Sequence, residues 1–230
     1  MWAIIFGTVL VGGSTTAFLT MGRSNAPKNP ENPELLITML THPIIHNASA
    51  LGTGKANITL VEFGDYQCQF CARFHRETKD LIVNNYVNTG MINFLFKDFV
   101  INDRPSDKLS TLAAIGSYCA AEQGKYWPYH DEVYTNSKGE NTPWVSKNSL
   151  TQFAVYAGVT NVKKFSTCLD SKKYENLVTT NDNLAKSIGL TSTPTFILIS
   201  PGQPALKIVG AQPYSVFQGA INQILTQIPS

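Results

Sequence analysis

An excess of charge of one sign is missing from this sequence. The 230 residues carry 18 Lys and Arg against 16 Asp and Glu, for a formal net charge of +2, and the basic residues are scattered along the chain. A nucleic-acid-binding surface needs a basic patch or stripe, so the charge pattern predicts no nucleic-acid partner. Hydrophobic residues make up 43% of the chain, which is enough for a domain with a sizeable core.

Charged side chains are absent from residues 1–22. A helix of that length, at about 1.5 Å per residue, can cross the ~30 Å hydrocarbon core of a bilayer. A secretory signal peptide normally begins with basic residues, so we favour a retained N-terminal transmembrane helix over a cleaved signal segment. Arg23 and Lys28 follow the span and weakly favour a cytoplasmic body. Residues 23–50 are rich in Pro and Asn and are predicted to be an extended linker.

Apolar patterns in residues 51–230 predict an α/β domain with a β-α-β unit, a helical insertion and a β-β-α unit. Short runs of β-forming residues predict four strands, at 57–64, 91–96, 195–200 and 205–209. Helical spacing predicts a helix between the first two strands, an all-helical subdomain and a terminal helix, at 70–86, 103–189 and 217–228. The strand–helix–strand order implies a right-handed parallel crossover, and the short turn between the last two strands predicts an antiparallel hairpin.

Cysteine is scarce, and two of the four cysteines form the motif CQFC, residues 68–71, between the first predicted strand and helix. A structural zinc site needs four ligands, commonly two such pairs. The other cysteines are isolated, and His42 and His46 lie in the predicted linker with no cysteine pair beside them. Haem attachment needs a histidine directly after the pair, but Ala72 stands there. We therefore predict no metal and no bound cofactor.

A redox centre explains the position of the cysteine pair better than a structural bridge, because a disulfide across so short a loop constrains the unfolded chain little. Cys68 is expected where the strand turns into the helix, and Asp65 is expected to cap that turn. Backbone N–H groups and the dipole at a helix start stabilise a thiolate and lower a cysteine pKa from ~8.5 to about 3.5–7.5. We therefore expect Cys68 to be exposed and nucleophilic, and Cys71 to be shielded and to resolve the mixed disulfide.

Several motifs together resemble the DsbA-like thiol–disulfide oxidoreductases. They are the strand–acid–Cys-x-x-Cys start and the stretches QGKYWPYHDEVY (123–134), FSTCLDS (165–171) and STPTF (192–196). The resemblance covers about residues 51–230 and implies a thioredoxin fold with a helical insertion. It also implies protein thiol–disulfide exchange in which electrons pass through the cysteine pair without a bound cofactor.

The resemblance assigns roles to particular residues. Cys68 matches the nucleophile and Cys71 the resolving thiol, and Thr193-Pro194 matches the threonine and cis-proline that pack against the pair and hydrogen-bond the substrate backbone. Glu62, six residues before Cys68, matches the buried acid that relays protons to the resolving cysteine. The strongly oxidising members carry a histidine between the cysteines. The dipeptide here is Gln69-Phe70, which argues against a very high reduction potential.

The residues alone leave two interpretations of Glu62. It lies in an otherwise apolar strand, where a buried carboxyl is costly unless it is partnered or protonated. A raised pKa would then suit proton transfer near neutral pH. The alternative is a glutamate at the strand end that faces solvent. His75, one turn after Cys71, is expected to be a solvated helix residue.

Cys119 and Cys168 lie on apolar faces of different predicted helices. They are either two buried free thiols or, in a domain outside the cytoplasm, a structural disulfide. We favour the disulfide. The cysteine chemistry thus indicates an extracytoplasmic domain, and it outweighs the weak opposite signal of Arg23 and Lys28.

The sequence therefore predicts a protein thiol–disulfide oxidoreductase that is anchored by a single N-terminal membrane helix, or secreted if that segment is cleaved, with its catalytic domain outside the cytoplasm. It is expected to introduce or isomerise disulfides in folding extracytoplasmic proteins that contain cysteines. The resemblance implies a membrane redox partner similar to DsbB or to vitamin K epoxide reductase. Two alternatives stay open: a disulfide reductase with the same residues, and a non-catalytic, membrane-anchored binding module.

Overall fold

The computed structural model describes residues 33–41, 49–140 and 142–227. Its sheet consists of five strands, β1 (Ala50–Leu51), β2 (Ile58–Gly64), β3 (Ile92–Asp98), β4 (Thr195–Ile199) and β5 (Leu206–Val209). Their order across the sheet is β1-β3-β2-β4-β5. β2 and β3 are parallel, and the other neighbouring pairs are antiparallel. The predicted parallel crossover and C-terminal hairpin are therefore confirmed.

The helices surround this sheet and form the insertion. Helix α1 is Pro33–Thr41. Helix α2 begins as Gln69–Phe74 and continues without a break through the π-helical turn His75–Lys79, the α-helical turn Asp80–Ile82 and a second π-helical turn, Val83–Val87. The remaining helices are α3 (Leu109–Ala121), α4 (Tyr126–Thr135), α5 (Lys147–Tyr156), α6 (Val162–Asp170), α7 (Glu175–Ser187) and α8 (Tyr214–Leu225). The all-helical insertion predicted at 103–189 is confirmed by α3 to α7.

Strand β2 lies at the centre of the sheet, and all seven of its residues are buried. Side chains of a strand alternate between the two faces of the sheet. Ile58 and Leu60 belong to an apolar cluster with α2 and α8, whereas Val61 and Phe63 belong to one with α1 and α7. Glu62 alternates with Val61 and Phe63, so its side chain points to the face that α2 covers.

A third apolar cluster fills the helical insertion and reaches the cysteine pair at the start of α2. A disulfide between Cys119 and Cys168 joins α3 to α6, with Cα atoms 5.8 Å apart. These two cysteines are therefore a bridge and not free thiols. The helices α3 and α4 approach closely at Gly116, where a Cβ atom would lie only 2.2 Å from the hydroxyl oxygen of Tyr129.

Part of the predicted linker is folded. The sequence predicts an extended chain over residues 23–50, but residues 33–41 form α1 and Ala50 belongs to β1. Pro33 is the first residue of the helix, a position that favours proline because the N–H it lacks would have no partner in the helix. Leu40 is buried against the sheet. The prediction was wrong for these stretches, and residues 23–32 and 42–48 lie outside the described residues.

The predicted N-terminal transmembrane helix, residues 1–22, also lies outside the described residues. Within the described part of the chain, no helix is both long enough and apolar enough to cross a membrane. The anchor therefore stays a prediction.

Candidate active site

The turn between β2 and α2 is fixed by Asp65. Its Oδ1 accepts hydrogen bonds from the Gln67 N–H at 2.8 Å and the Ser110 hydroxyl at 2.6 Å, and its Oδ2 accepts one from the Asn102 N–H at 2.8 Å. Its backbone carbonyl accepts the Cys68 N–H at 2.9 Å. Burial raises the pKa of Asp65 to about 6. The predicted capping of the turn is confirmed, and the turn places Cys68 at the start of α2.

Cys68 is the N-cap residue of α2. Its Sγ accepts a hydrogen bond from the Cys71 N–H at 3.5 Å and lies 3.4 Å from the carbonyl oxygen of Thr193. A hydrogen bond from the Cys71 side chain is the largest cause that lowers the pKa of Cys68 to about 7. Burial opposes it, and Thr193 and the N–H groups of Cys71 and Phe70 add to the lowering. The predicted thiolate stabilisation at the helix start is therefore present.

The expected exposure of Cys68 is wrong, because its side chain is only 3% exposed. The Thr193 carbonyl contacts the sulfur from the segment before β4, and the apolar cluster of the insertion includes Cys68. The peptide bond between Thr193 and Pro194 is cis. The exposed residues of the motif are Gln69 and Phe70, which lie between the cysteines, and Phe70 is 46% exposed.

Cys71 is completely buried, as its predicted shielding requires. Burial raises the pKa of its thiol well above the ordinary value, and the neighbouring Cys68 and Glu62 raise it further. The two thiols are therefore unequal in acidity, with Cys68 the more acidic.

Glu62 is also buried, and the alternative of a solvent-facing glutamate is wrong. Its Oε2 has no hydrogen-bond partner among the described residues. Burial raises the pKa of Glu62 well above its ordinary value, and the Lys79 ammonium partly offsets this effect. A carboxyl whose pKa is raised by burial keeps its proton to a higher pH than an exposed carboxyl does.

Comparisons with known proteins now identify the family. The family model described as Thioredoxin matches residues 46–200. This chain belongs to the thioredoxin family. Disulfide bond formation protein D of Bacillus subtilis is 24% identical over 153 residues, which are 66% of this chain and 68% of that protein. A putative protein-disulfide oxidoreductase of Rickettsia prowazekii is 24% identical over 176 residues, which are 74% of this chain and 61% of that protein.

Solved structures of the thioredoxin family show the same architecture. Oxidised BdbD from Bacillus subtilis has a TM-score of 0.69 at 22% identity, over 77% of this chain and 92% of that one. The alpha-DsbA1 of Wolbachia pipientis has a TM-score of 0.67 at 23% identity, over 83% of this chain and 96% of that one. At these identities the likeness establishes the fold. The resemblance to DsbA-like thiol–disulfide oxidoreductases is confirmed, and the predicted enzyme class agrees with the names of both relatives.

A charged cluster, which the sequence analysis missed, lies beside the site of this thioredoxin-family chain. The Lys79 ammonium, on α2, lies 3.0 Å from Oδ1 of Asp131, on α4. The Nδ1 atoms of His130 and His75 lie 3.2 Å and 3.7 Å from the same oxygen. Burial lowers the pKa of both histidines, that of His75 to about 3. The expectation that His75 is solvated is therefore wrong, because α4 covers this face of α2.

The same cluster has three potential metal-ligand atoms, from His75, His130 and Asp131, within 4.8 Å of one another. The Lys79 ammonium, at 3.0 Å from Oδ1 of Asp131, repels a cation at this position. The arrangement is therefore an ion pair between the buried Lys79 and the partly exposed Asp131, beside two histidines whose pKa is lowered. The sequence could have indicated part of this cluster. His75 and Lys79 follow Cys71 by four and eight residues, and residues at this spacing lie on the same face of a helix.

Glu140 also contacts the active-site motif, and the sequence analysis missed it. Its Oε1 accepts the N–H of Gln69 at 3.1 Å, although the two residues are 71 positions apart. Glu140 lies in an irregular segment after α4 with no periodic pattern, so no local sequence signal indicates this contact.

Proposed function

We propose that this chain introduces or isomerises disulfides in folding extracytoplasmic proteins through Cys68 and Cys71. The observation that supports the proposal is the unequal acidity of the two thiols. The hydrogen bond from the Cys71 side chain, together with Thr193 and the N–H groups at the helix start, lowers the pKa of Cys68 to about 7, whereas burial raises that of Cys71. Exchange is fastest for a thiol whose pKa lies near ambient pH, and that thiol is Cys68.

Oxidation of a substrate would take two exchange steps. A substrate thiolate attacks the Cys68 sulfur of the Cys68–Cys71 disulfide, a mixed disulfide forms on Cys68, and Cys71 departs as a thiolate. A second substrate thiolate then attacks the substrate sulfur of the mixed disulfide, and Cys68 departs as a thiolate. The substrate loses two electrons, and the cysteine pair gains them.

Three further residues would support these steps. Glu62 would give its proton to the departing Cys71 thiolate, because its carboxyl is buried with a raised pKa and electrostatically coupled to Cys71. Thr193 and Pro194 would pack against the pair and bind the substrate backbone. The Thr193 hydroxyl is buried and has no other hydrogen-bond partner among the described residues, so it is available to a Cys68 thiolate.

The reduction potential is expected to be intermediate. The pKa of Cys68, about 7, is nearer to the value of ~7 in thioredoxin than to the ~3.5 of the strongly oxidising DsbA. The dipeptide Gln69-Phe70 has no histidine that could stabilise the thiolate further. We expect a potential between about −120 mV and −270 mV. A value at the lower end would favour the alternative, a disulfide reductase.

An extracytoplasmic location is part of the proposal. Disulfides such as Cys119–Cys168 persist in oxidising compartments. Residues 1–22 would anchor the domain, and a membrane protein similar to DsbB or vitamin K epoxide reductase would accept the two electrons and reoxidise the pair. Carbonate extraction of membranes that contain the full-length chain tests the anchor, and release into the supernatant would contradict it.

Trapping of mixed disulfides tests the central proposal. Cys71→Ser leaves Cys68 able to form a mixed disulfide that Cys71 can no longer resolve, so reductant-sensitive adducts with extracytoplasmic proteins should accumulate on non-reducing gels. Cys68→Ser is the matched control and should trap none, because Cys71 is buried and its pKa is raised. Equal, sparse trapping by the two variants would favour a non-catalytic binding module with a structural Cys68–Cys71 bridge.

A further inference from the structure

The N–H groups at the N-terminus of α2, the active-site helix, donate hydrogen bonds to two different acceptors. The first N–H of α2, that of Gln69, donates to Oε1 of Glu140 at 3.1 Å. The N–H of Cys71 donates to the Cys68 sulfur at 3.5 Å, and that of Phe70 also lowers the Cys68 pKa. The N–H groups in the first turn of α2 thus bind two different acceptors, the Glu140 carboxyl group and the Cys68 sulfur.

The segment that carries Glu140 is held in place by its own hydrogen bonds. The indole N–H of Trp144, a largely buried side chain, donates to the Gly139 carbonyl at 2.8 Å. The Gly139 N–H donates to the Ser137 hydroxyl at 3.3 Å. Gly139 has φ +77°, and a Cβ atom there would lie 3.7 Å from Cβ of Gln69. The backbone before Glu140 therefore packs directly on the residue that follows Cys68.

Burial disfavours the charged form of the other acidic groups that are coupled to Cys68. Glu62 from β2, Tyr134 from α4 and Cys71 from α2 interact electrostatically with Cys68, and burial raises the pKa of all three. The cations Arg73 and Lys79 lie further along α2, where Arg73 donates to the Ala211 carbonyl at 2.9 Å and Lys79 pairs with Asp131. Glu140, by contrast, is only partly buried, and its carboxyl group contacts the residue that follows Cys68.

We propose that Glu140 is a positioning residue that opposes the Cys68 thiolate and keeps the cysteine pair less oxidising than its helix position alone would make it. A carboxylate near the sulfur repels the thiolate and also withdraws one of the N–H groups that would stabilise it. The Cys68–Cys71 disulfide is neutral and is unaffected. The charge of Glu140 therefore favours the disulfide over the reduced pair. The inference rests on the proposed role of Cys68 as the attacking thiol.

Glu140→Gln tests this inference, because the amide oxygen of Gln still accepts the Gln69 N–H while the charge is lost. In equilibrium with glutathione, the variant should favour the reduced pair by about three- to tenfold, which corresponds to a potential about 14 to 30 mV more positive. The midpoint of the Cys68 thiolate titration, followed by absorbance at 240 nm, should fall by about 0.5 to 1 pH unit. Both differences should shrink in 1 M NaCl, because salt screens an exposed charge.

Two further variants separate the effect of the Glu140 charge from a general loss of negative charge and from a change of side chain. Glu77→Gln removes the same charge from an exposed position on α2, roughly 13 Å further along the helix, and should change neither the potential nor the titration. Glu140→Asp retains the charge and should stay closer to wild type than Glu140→Gln.

The inference fails if Glu140→Gln leaves both readouts unchanged, lowers the potential, or matches Glu77→Gln. If Glu140→Gln does not fold, the wild type still decides: its potential should become more positive as NaCl is raised, and a constant or falling potential overturns the inference. The titration does not depend on substrate turnover. A failure of Cys71→Ser to trap substrates would therefore contradict the proposed function while leaving the effect of Glu140 on Cys68 measurable.

Discussion

The Sγ of Cys68 lies 3.4 Å from the backbone carbonyl oxygen of Thr193, a residue 125 positions further along the chain. A protonated thiol can donate to this oxygen, but a thiolate can only accept hydrogen bonds. Ionisation therefore makes Cys68 depend on the N–H groups of α2 and on the Thr193 hydroxyl. The segment before β4 thus both covers the sulfur and contributes to its acidity.

Alkylation of the reduced protein should report the acidity of Cys68. Only the thiolate reacts with iodoacetamide at an appreciable rate, and a pKa lowered to about 7 means that the rate at Cys68 rises with pH through about 7 and then levels off. Cys71 should stay unmodified because it is completely buried. Peptide mass spectrometry measures both sites. A midpoint near the ordinary value of 9.0, or equal labelling of the two cysteines, would contradict the assignment.

Glu62→Gln should change how stability depends on pH. Because burial raises the pKa of Glu62 in the folded state, its contribution is fully present below the unfolded value, about 4.5, and is lost as pH rises toward the folded value. Gln has no charge to bury, so the stability of the variant relative to wild type should rise as the pH is raised from 5 to 8. Urea unfolding of the reduced proteins at both pH values measures the difference.

The exposed Glu77 supplies a control for this experiment. Glu77→Gln removes a carboxyl group from the solvent side of α2, and its difference from wild type over the same pH range is the reference for Glu62→Gln. If the difference for Glu62→Gln does not change with pH, burial does not raise the pKa of Glu62, and the proposed proton relay loses its basis.

Periodic patterns explain how much of the fold could be predicted from sequence. The strands and the helical insertion follow from side-chain burial that repeats every two or about 3.6 residues, and the start of α2 follows from the position of the CQFC motif. Helix α1 was missed because the prolines before it indicate an extended chain, and the helix is too short to show a clear helical repeat of apolar residues. Only Leu40 of that helix is fully buried among its described side chains, so its apolar signal is weak.

Spacing within the sequence predicted the site only where function depends on neighbours along the chain, and the family resemblance supplied the distant Thr193-Pro194. Cys68 and Cys71 are three residues apart, and their unequal acidity follows from the helix start. The burial of Cys68 depends on Thr193, and the approach of Glu140 depends on where the helical insertion packs. Such contacts join residues far apart in the chain, and the spacing of residues in the sequence does not predict them.

The disulfide between Cys119 and Cys168 should stabilise the insertion without taking part in turnover. A bridge with a sequence separation of 49 removes chain entropy worth about 4 kcal/mol from the unfolded state. Replacing both cysteines with Ala should therefore lower the free energy of unfolding by about that amount and leave most of the exchange activity, since Cys68 and Cys71 are untouched. Denaturant unfolding and an insulin-reduction assay measure the two effects.

The cysteine pair of the motif is the matched control for the bridge. Replacing Cys68 and Cys71 with Ala should abolish exchange and change stability far less, because a bridge across two residues constrains the unfolded chain little. Free thiols at Cys119 and Cys168 in protein purified without reductant would contradict the structural bridge.

The same substitution should have opposite effects in two helices. A Cβ atom at Gly116 would lie 2.2 Å from the hydroxyl oxygen of Tyr129 and 2.8 Å from its Cζ, and Tyr129 is completely buried. Gly116→Ala should therefore cost about 1–3 kcal/mol of stability through overpacking. Gly219, in α8, has no atom within 4 Å of its added Cβ, so Gly219→Ala should gain up to about 1 kcal/mol from helix propensity. Urea unfolding measures both.

Removing the Tyr129 hydroxyl tests whether a clash with it causes the expected loss of stability in Gly116→Ala. In a Gly116→Ala variant, adding Tyr129→Phe removes the atom nearest to the new methyl group and should recover part of the stability, although the ring carbon at 2.8 Å stays close. The hydroxyl has no hydrogen-bond partner among the described residues, so Tyr129→Phe alone should be nearly neutral. If Gly116→Ala unfolds at the same urea concentration as wild type, α3 and α4 can move apart freely, and their close packing does not hold the insertion together.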